Sequence, residues 1–111
     1  MSHATRRQKI EAMLAQDPAD KFLRYALAME LEKDGDHDAS LSYLRGLTEE
    51  SPPHVPAFFM AGQQLTRLGR ISEARSTLRR GIEAARQQNN SHAAGEMSEF
   101  LASLGQLGDD E

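Results

Sequence analysis

Apolar residues recur along the chain at intervals of three and four positions, and prolines and glycines interrupt them at regular points. This spacing is typical of helices that bury one face. Alternating runs that would indicate strands are missing, and Val55 is the only valine in the chain. The pattern therefore predicts an all-α protein of about six helices, and its 111 residues correspond to a single domain.

Polar residues between the apolar stretches predict where the helices begin. Thr5 and Gln8 have the spacing of a capping box at the start of the first helix. Asp17 with Pro18 is expected to begin the second helix, and Asp36 the third, because short acidic side chains accept hydrogen bonds from first-turn amides. The predicted helices cover about residues 5–16, 18–34, 36–50, 53–68, 71–88 and 91–104.

Residues of the same kind stand 34 positions apart, at equivalent places in two successive helix–turn–helix units. The five pairs are Pro18 and Pro52, Gly35 and Gly69, Leu31 and Leu65, Leu44 and Leu78, and the small residues Ala28 and Gly62. Gly35 and Gly69 are expected to end helices in left-handed turns. Repetition at a fixed period of this length indicates stacked helical hairpins.

This period and residue pattern resemble the tetratricopeptide repeat family, whose unit reads W-x2-L-G-x2-Y, then A-x3-F, then P. The matching residues are Arg24, Leu27, Ala28, Leu31, Ser40, Leu44 and Pro52, and then Phe58, Ala61, Gly62, Leu65, Ala74, Leu78 and Arg86. The resemblance implies a right-handed superhelix of antiparallel helical hairpins in one domain, 1–111. Its predicted parts are an N-terminal half repeat (5–17), two units (21–54 and 55–88), a capping helix (90–105) and a flexible tail (106–111).

Gly62 lies inside the fourth predicted helix, where glycine costs about 1 kcal/mol relative to alanine. The two helices of a repeat unit pack closely, so residues without large side chains are expected where the backbones approach. Gly62 and Gly81 are predicted to serve this purpose in the second unit, and Ala28 with Ser40 in the first.

The second and fourth helices each carry a second row of side chains. In the second helix this row lies about 170° from the main apolar stripe, at the helical rotation of roughly 100° per residue. It contains Phe22, Tyr25 and Met29, and the row on the fourth helix contains Pro56, Phe59 and Gln63, with Arg67 one turn further on.

The resemblance implies that these rows face a concave groove that holds an extended or helical peptide. The candidate partner-binding residues are Phe22, Tyr25, Met29, Phe59, Gln63 and Arg67, the last as a contact for a carboxylate. Aromatic and methionine side chains are typical anchors of adaptable peptide sites. In the alternative, the aromatic and methionine residues of these rows pack against the first and sixth helices.

Charge is distributed unevenly along the chain. The formal net charge of −4 argues against a nucleic-acid-binding protein, which needs excess positive charge. Residues 30–50 carry a net charge of −5, whereas residues 67–86 carry +4. The arginines of the fifth helix are expected to form a solvated face, or alternatively to contact an acidic partner or the acidic run 30–38 of another copy.

No catalytic or metal-binding arrangement is evident in the sequence. There is no cysteine, no pair of histidines at metal-ligand spacing, no nucleophile motif and no phosphate-binding loop. Apolar runs are too short to span a membrane, which favours a cytoplasmic location. The sequence predicts a non-catalytic protein–protein interaction module without cofactor, metal, nucleic acid or membrane.

A self-assembling adaptor or scaffold subunit is the alternative function. Repeat stacks bury their faces against neighbouring units, and two units are fewer than the usual minimum of about three. A homo-oligomer would supply the missing neighbours.

Overall fold

In a computed structural model that describes residues 4–105, the chain forms a stack of helices. They are α1 (Arg6–Gln16), α2 (Lys21–Lys33), α3 (His37–Thr48), α4 (Val55–Arg67), α5 (Ile71–Gln87) and α6 (Ser91–Ser103). No strand occurs in this described part, which confirms the all-α prediction. The predicted tail, 106–111, lies outside the described residues.

The start of α1 is the capping box that the sequence predicts. The Gln8 backbone N–H donates to Thr5 Oγ1 at 3.1 Å, and the Thr5 backbone N–H donates to Gln8 Oε1 at 2.9 Å. Asp36 stands directly before α3, also as predicted, but its side chain accepts no capping hydrogen bond.

The predicted start of α2 at Asp17 and Pro18 is wrong. The backbone N–H of Asp17 donates back to two carbonyl groups of α1, so Asp17 ends that helix. Asp20 caps α2 instead, because its side chain accepts a hydrogen bond from the Leu23 N–H at 2.9 Å. Either aspartate has the chemistry of an N-cap, and only the second is followed by a helical turn.

The same turn geometry recurs at three of the helix connections. Gly35, Gly69 and Asn89 have positive φ angles of 82°, 78° and 59°. The residue after each turn residue donates its N–H across the turn to a carbonyl group of the preceding helix, at 2.8 Å in every case (Asp36 to Leu31, Arg70 to Leu65, Asn90 to Ala85). This bond is typical of the Schellman ending of a helix. The left-handed turns predicted at the two glycines are therefore confirmed.

Consecutive helices pack against each other along the stack, and α4 also contacts α6. The larger hydrophobic core extends from α2 to α6 and is centred on Leu44, Leu47, Leu78 and Met97. A smaller core joins α1 to α2 through Ile10 and two leucines of α2. Leu31 and Leu65, one repeat apart, are buried to a similar degree (3% and 5% exposed), Leu31 in the smaller core and Leu65 in the larger one.

Two glycines set how closely α5 packs against its neighbours. A methyl group added at Gly62 would lie 2.7 Å from Leu78 Cδ2, a side chain that is fully buried. A methyl group added at Gly81 would lie 2.5 Å from Phe58 Cβ and 2.6 Å from Met97 Sδ. The close approach predicted for both glycines is therefore present, and at Gly81 it involves α4 and α6 together.

A buried polar relay joins the first repeat unit to the second. Ser40 Oγ on α3 donates to the Ala28 carbonyl on α2 at 2.6 Å, and it accepts from Gln64 Nε2 on α4 at 2.8 Å. Both side chains are fully buried. Because unpaired polar groups are costly in a core, the relay favours one alignment of the three helices.

We expect G81A to lower the free energy of unfolding by about 1–2 kcal/mol, because overpacking exceeds the gain in helix propensity. G95A is the matched control: no atom lies within 4 Å of the methyl group added there, and Gly95 is exposed on α6. It should raise the free energy of unfolding by about 0.5–1 kcal/mol. Urea unfolding of both variants measures the difference, and equal effects would contradict this account of Gly81.

We expect S40A to destabilise the protein by about 1–3 kcal/mol, because it leaves the buried Gln64 amide without its acceptor and removes a second hydrogen bond from the Ala28 carbonyl. The double variant S40A/Q64M removes both side chains of the relay and should lose less than the sum of the single variants. A double-mutant cycle by urea unfolding gives the coupling energy, expected to exceed about 0.5 kcal/mol. Additive losses would show that the two side chains act independently.

Candidate protein-binding groove

A groove of about 310 Å³ opens between α2, α4 and α6. Its lining residues are Tyr25 from α2, Val55, Pro56, Phe59, Met60 and Gln63 from α4, and Asn90, Ala93, Glu96 and Met97 at and along α6. Three of the six predicted site residues, Tyr25, Phe59 and Gln63, are thus brought together. Two of the hairpins and the last helix contribute to one concavity.

The helical period of α4 separates its core side from its groove side. Ala57, Phe58, Ala61 and Leu65 are buried in the core. Pro56, Phe59 and Gln63 follow one another at intervals of three and four, so they line the groove on another side. Pro56 is tolerated because it stands in the first turn, where backbone amides have no intrahelical partner.

Two aromatic contacts hold the groove side chains in place. The Phe59 ring lies edge-to-face on Phe100 of α6, with 5.7 Å between the ring centroids. The Tyr25 ring lies 5.4 Å from the His54 ring, next to the start of α4. Phe59 therefore packs against the sixth helix, as the alternative prediction has it, and also lines the groove.

The other predicted residues lie outside the groove lining. Phe22 is 81% exposed and Met29 is 40% exposed, and their spacing places them near Tyr25 on the outer side of α2. Arg67 forms an ion pair with Glu32, across the ends of α4 and α2. Its guanidinium group thus already has a carboxylate partner within the chain.

Burial and nearby charges shift the pKa values of Tyr25 and His54, which lie where α2 meets the start of α4. Burial raises the pKa of the Tyr25 phenol. Burial, and then the charges of Lys21 and Arg24, lower the pKa of His54 below its usual value. The uncharged imidazole is therefore the favoured form beside Tyr25 at neutral pH.

The α6 side of the groove is absent from the predicted site. Ala93, Met97 and Phe100 have the spacing of a helical stripe, and this signal indicates that α6 packs on α4. Asn90 and Glu96 carry no such signal, because polar residues at exposed positions occur throughout the sequence. Glu96 lies at the rim, 3.3 Å from His92 Nε2.

The described part of the chain has neither a candidate metal site nor a helix that could span a membrane. Among residues 4–105, no three histidine, aspartate or glutamate side chains converge in a way that could hold a metal ion. Over the same range, no helix has both the length and the apolar character needed to cross a bilayer.

The His54 environment predicts a pH-dependent stability. Its pKa is lower in the folded chain than in the unfolded chain, so protonation favours unfolding as the pH falls through about 6.5. Wild type should lose more free energy of unfolding between about pH 7.5 and about pH 5.5 than H54Q does. H92Q makes the same substitution at an exposed histidine, whose partner is Glu96, and should not reduce the wild-type loss. Urea unfolding at the two pH values measures this, and equal losses in wild type and H54Q would contradict it.

Comparison with known proteins agrees with the repeat geometry. A sequence model of the tetratricopeptide repeat family matches residues 31–97. None of the curated proteins matches the chain.

Three solved structures have the same architecture. The solution structure of a tetratricopeptide repeat domain protein from Salinibacter ruber is 32% identical, covers 78% of this chain and 88% of its own, and has a TM-score of 0.74. A crystal structure of such a domain from the same organism is 31% identical over 79% of this chain and 98% of its own, with a TM-score of 0.71. A Bordetella parapertussis protein is 27% identical over 94% of this chain and 90% of its own, with a TM-score of 0.79. The chain belongs to the tetratricopeptide repeat family.

Proposed function

We propose that this chain is a non-catalytic module that binds a peptide or protein partner in the groove between α2, α4 and α6. Tetratricopeptide repeat folds generally mediate protein–protein interaction, and the specific use of this groove is our proposal. One observation carries it: an apolar concavity of about 310 Å³ adjoins exposed apolar side chains on α2.

The groove has the chemistry of a peptide site. Tyr25, Phe59 and Met60 give it an apolar lining, and its volume accommodates a large apolar side chain of a partner. Within the described residues the Gln63 side chain makes no hydrogen bond, so its amide is available to a peptide backbone. An apolar pocket with a few polar groups at its rim is typical of a recognition site.

The remaining predicted residues extend this surface. Phe22 and Met29 would contact the partner on either side of the anchored residue. Arg67 would bind a partner carboxylate only in exchange for Glu32, since these two residues form an ion pair in the free chain.

Self-assembly is the alternative, and the exposure of Phe22 favours it. A phenylalanine that is 81% exposed on the surface of α2 is a natural contact for a second copy. Sedimentation over a concentration series tests this: a dimer in wild type that is lost in F22S supports the alternative, and a monomer throughout removes it.

The proposed module carries out no catalysis, needs no cofactor, binds neither nucleic acid nor a membrane, and is located in the cytoplasm.

Filling the groove should weaken peptide binding without unfolding the chain. Peptides that bind the wild type are first selected from a random display library. We expect A93L to lower the affinity for these peptides by at least about tenfold, because the added side chain occupies the space of the peptide's anchored residue. A102L is the matched control, since Ala102 is exposed on the same helix and does not line the groove. Calorimetry measures affinity, and thermal melting verifies that both variants are folded.

Two results would contradict the proposed groove. In one, the selected peptides bind A93L and wild type equally well. In the other, A102L weakens them as much as A93L does. Truncation of Tyr25 or Phe59 is a poorer test, because it also removes their ring contacts with His54 and Phe100.

A further inference from the structure

A second concavity, of about 240 Å³, lies between α3 and α5. Its apolar lining comes from Leu41 on α3 and from Ala61 and Leu65 on α4, and its polar lining from Arg45, Thr48, Glu73, Ser76, Thr77 and Arg80. We call it the α3–α5 cleft. It shares no residue with the groove between α2, α4 and α6.

The single carboxylate of the α3–α5 cleft is already neutralised. Both oxygens of Glu73 accept hydrogen bonds from Arg70, from Nη2 at 2.7 Å and from Nε at 3.1 Å. This contact lowers the pKa of Glu73, and the charge of Arg45 contributes to the same shift. Glu73 is therefore ionised and paired, and the remaining charge in the cleft is positive.

Two arginines supply that charge. Arg45 and Arg80 line the cleft, and within residues 4–105 neither forms an ion pair. The Arg80 guanidinium carbon lies 5.6 Å from the centre of the buried Phe58 ring, so a cation–π contact orients this side chain. Within residues 4–105 the Arg80 side chain donates no hydrogen bond, so its N–H groups are available to a ligand.

The other groups of the cleft suit an amphipathic ligand. The side chains of Ser76 and Thr77 make no hydrogen bonds within the described residues. The leucines and Ala61 provide room for one aliphatic side chain. Arginine binds carboxylates through paired hydrogen bonds, which give both attraction and orientation.

We propose that the α3–α5 cleft binds an acidic segment of a protein partner. An aliphatic side chain of the segment packs on Leu41 and Leu65, and flanking carboxylates pair with Arg45 and Arg80. This is a second interaction surface, and it does not depend on the groove between α2, α4 and α6.

A second copy of the chain is a poorer occupant of the cleft. Its acidic run, 30–38, is largely engaged in ion pairs of its own. Glu30 pairs with Arg6, Glu32 with Arg67 and Asp34 with Arg7. A nucleic acid is also disfavoured, because the chain as a whole carries a net charge of −4.

Heteronuclear NMR titration of the full chain tests the proposal. The probe is a capped peptide with a Glu-Leu-Glu core, the neutral control is the same peptide with a Gln-Leu-Gln core, and oligothymidine is the nucleic-acid control. We expect the acidic peptide to shift amide signals of residues 41–48 and 73–80, and to bind more weakly as salt is added. The two controls should produce no such shifts.

Matched variants assign the charge requirement to the cleft. R45Q/R80Q should lower the affinity for the acidic peptide by about fivefold, because two ion pairs between the chain and the peptide are lost. R79Q/R86Q makes the same change in net charge at arginines of α5 outside the cleft, and it should leave the affinity unchanged. The single variant R45Q retains the Arg80–Phe58 contact, so its loss of affinity is informative even where R80Q lowers stability.

Four outcomes would overturn the proposal. They are the absence of any shift at millimolar peptide, shifts confined to the groove between α2, α4 and α6, equal binding of the neutral peptide or of oligothymidine, and equal weakening by R79Q/R86Q. None of them bears on the A93L experiment, so the two surfaces are tested independently.

Discussion

The close approach of α5 to α4 and α6 determines the rest of the structure. At Gly62 the Leu78 side chain occupies the space of a missing Cβ, and at Gly81 Phe58 and Met97 do so together. Because α5 lies this close to both neighbours, α4 and α6 also contact each other on the far side. Phe59 then reaches Phe100, and a concavity remains between these helices and α2. The groove is thus a consequence of packing between glycines and large side chains in the core.

The side chains on different faces of α4 belong to different parts of the structure. Phe58 and Leu65 belong to the core, and Phe58 also orients Arg80 on the outer surface. Phe59 and Gln63 line the groove. Neighbouring positions on α4 therefore serve two surfaces, and its one buried polar side chain among the described residues, Gln64, bonds to Ser40.

Much of the fold could be predicted from the sequence, because the repeated positions hold residues with strong structural preferences. Gly35 and Gly69 adopt left-handed turns, and the leucines that stand one period apart are all buried. The predicted start of α2 at Asp17 was wrong, since the side chains of Asp17 and Asp20 are equally able to cap a helix. That choice depends on which backbone amides are already used by α1.

The candidate site was only partly predictable. Spacing on α2 and α4 identifies Tyr25, Phe59 and Gln63, because helical period alone puts them on one side. It does not show that Arg67 pairs with Glu32, or that Glu96 and Asn90 complete the groove. Those facts depend on how successive hairpins rotate against each other, which the identity of individual surface residues does not encode.

The hydrogen-bonded relay of Ala28, Ser40 and Gln64 makes the two repeats chemically different. One period further along the chain, Ser40 corresponds to Ala74 and Gln64 to Ser98, so the same bonds cannot form there. A duplicated second hairpin placed after the first copy would bury a glutamine amide against alanine. The hairpins are therefore not interchangeable modules, and lengthening this stack by gene duplication would first require a compensating substitution at that junction.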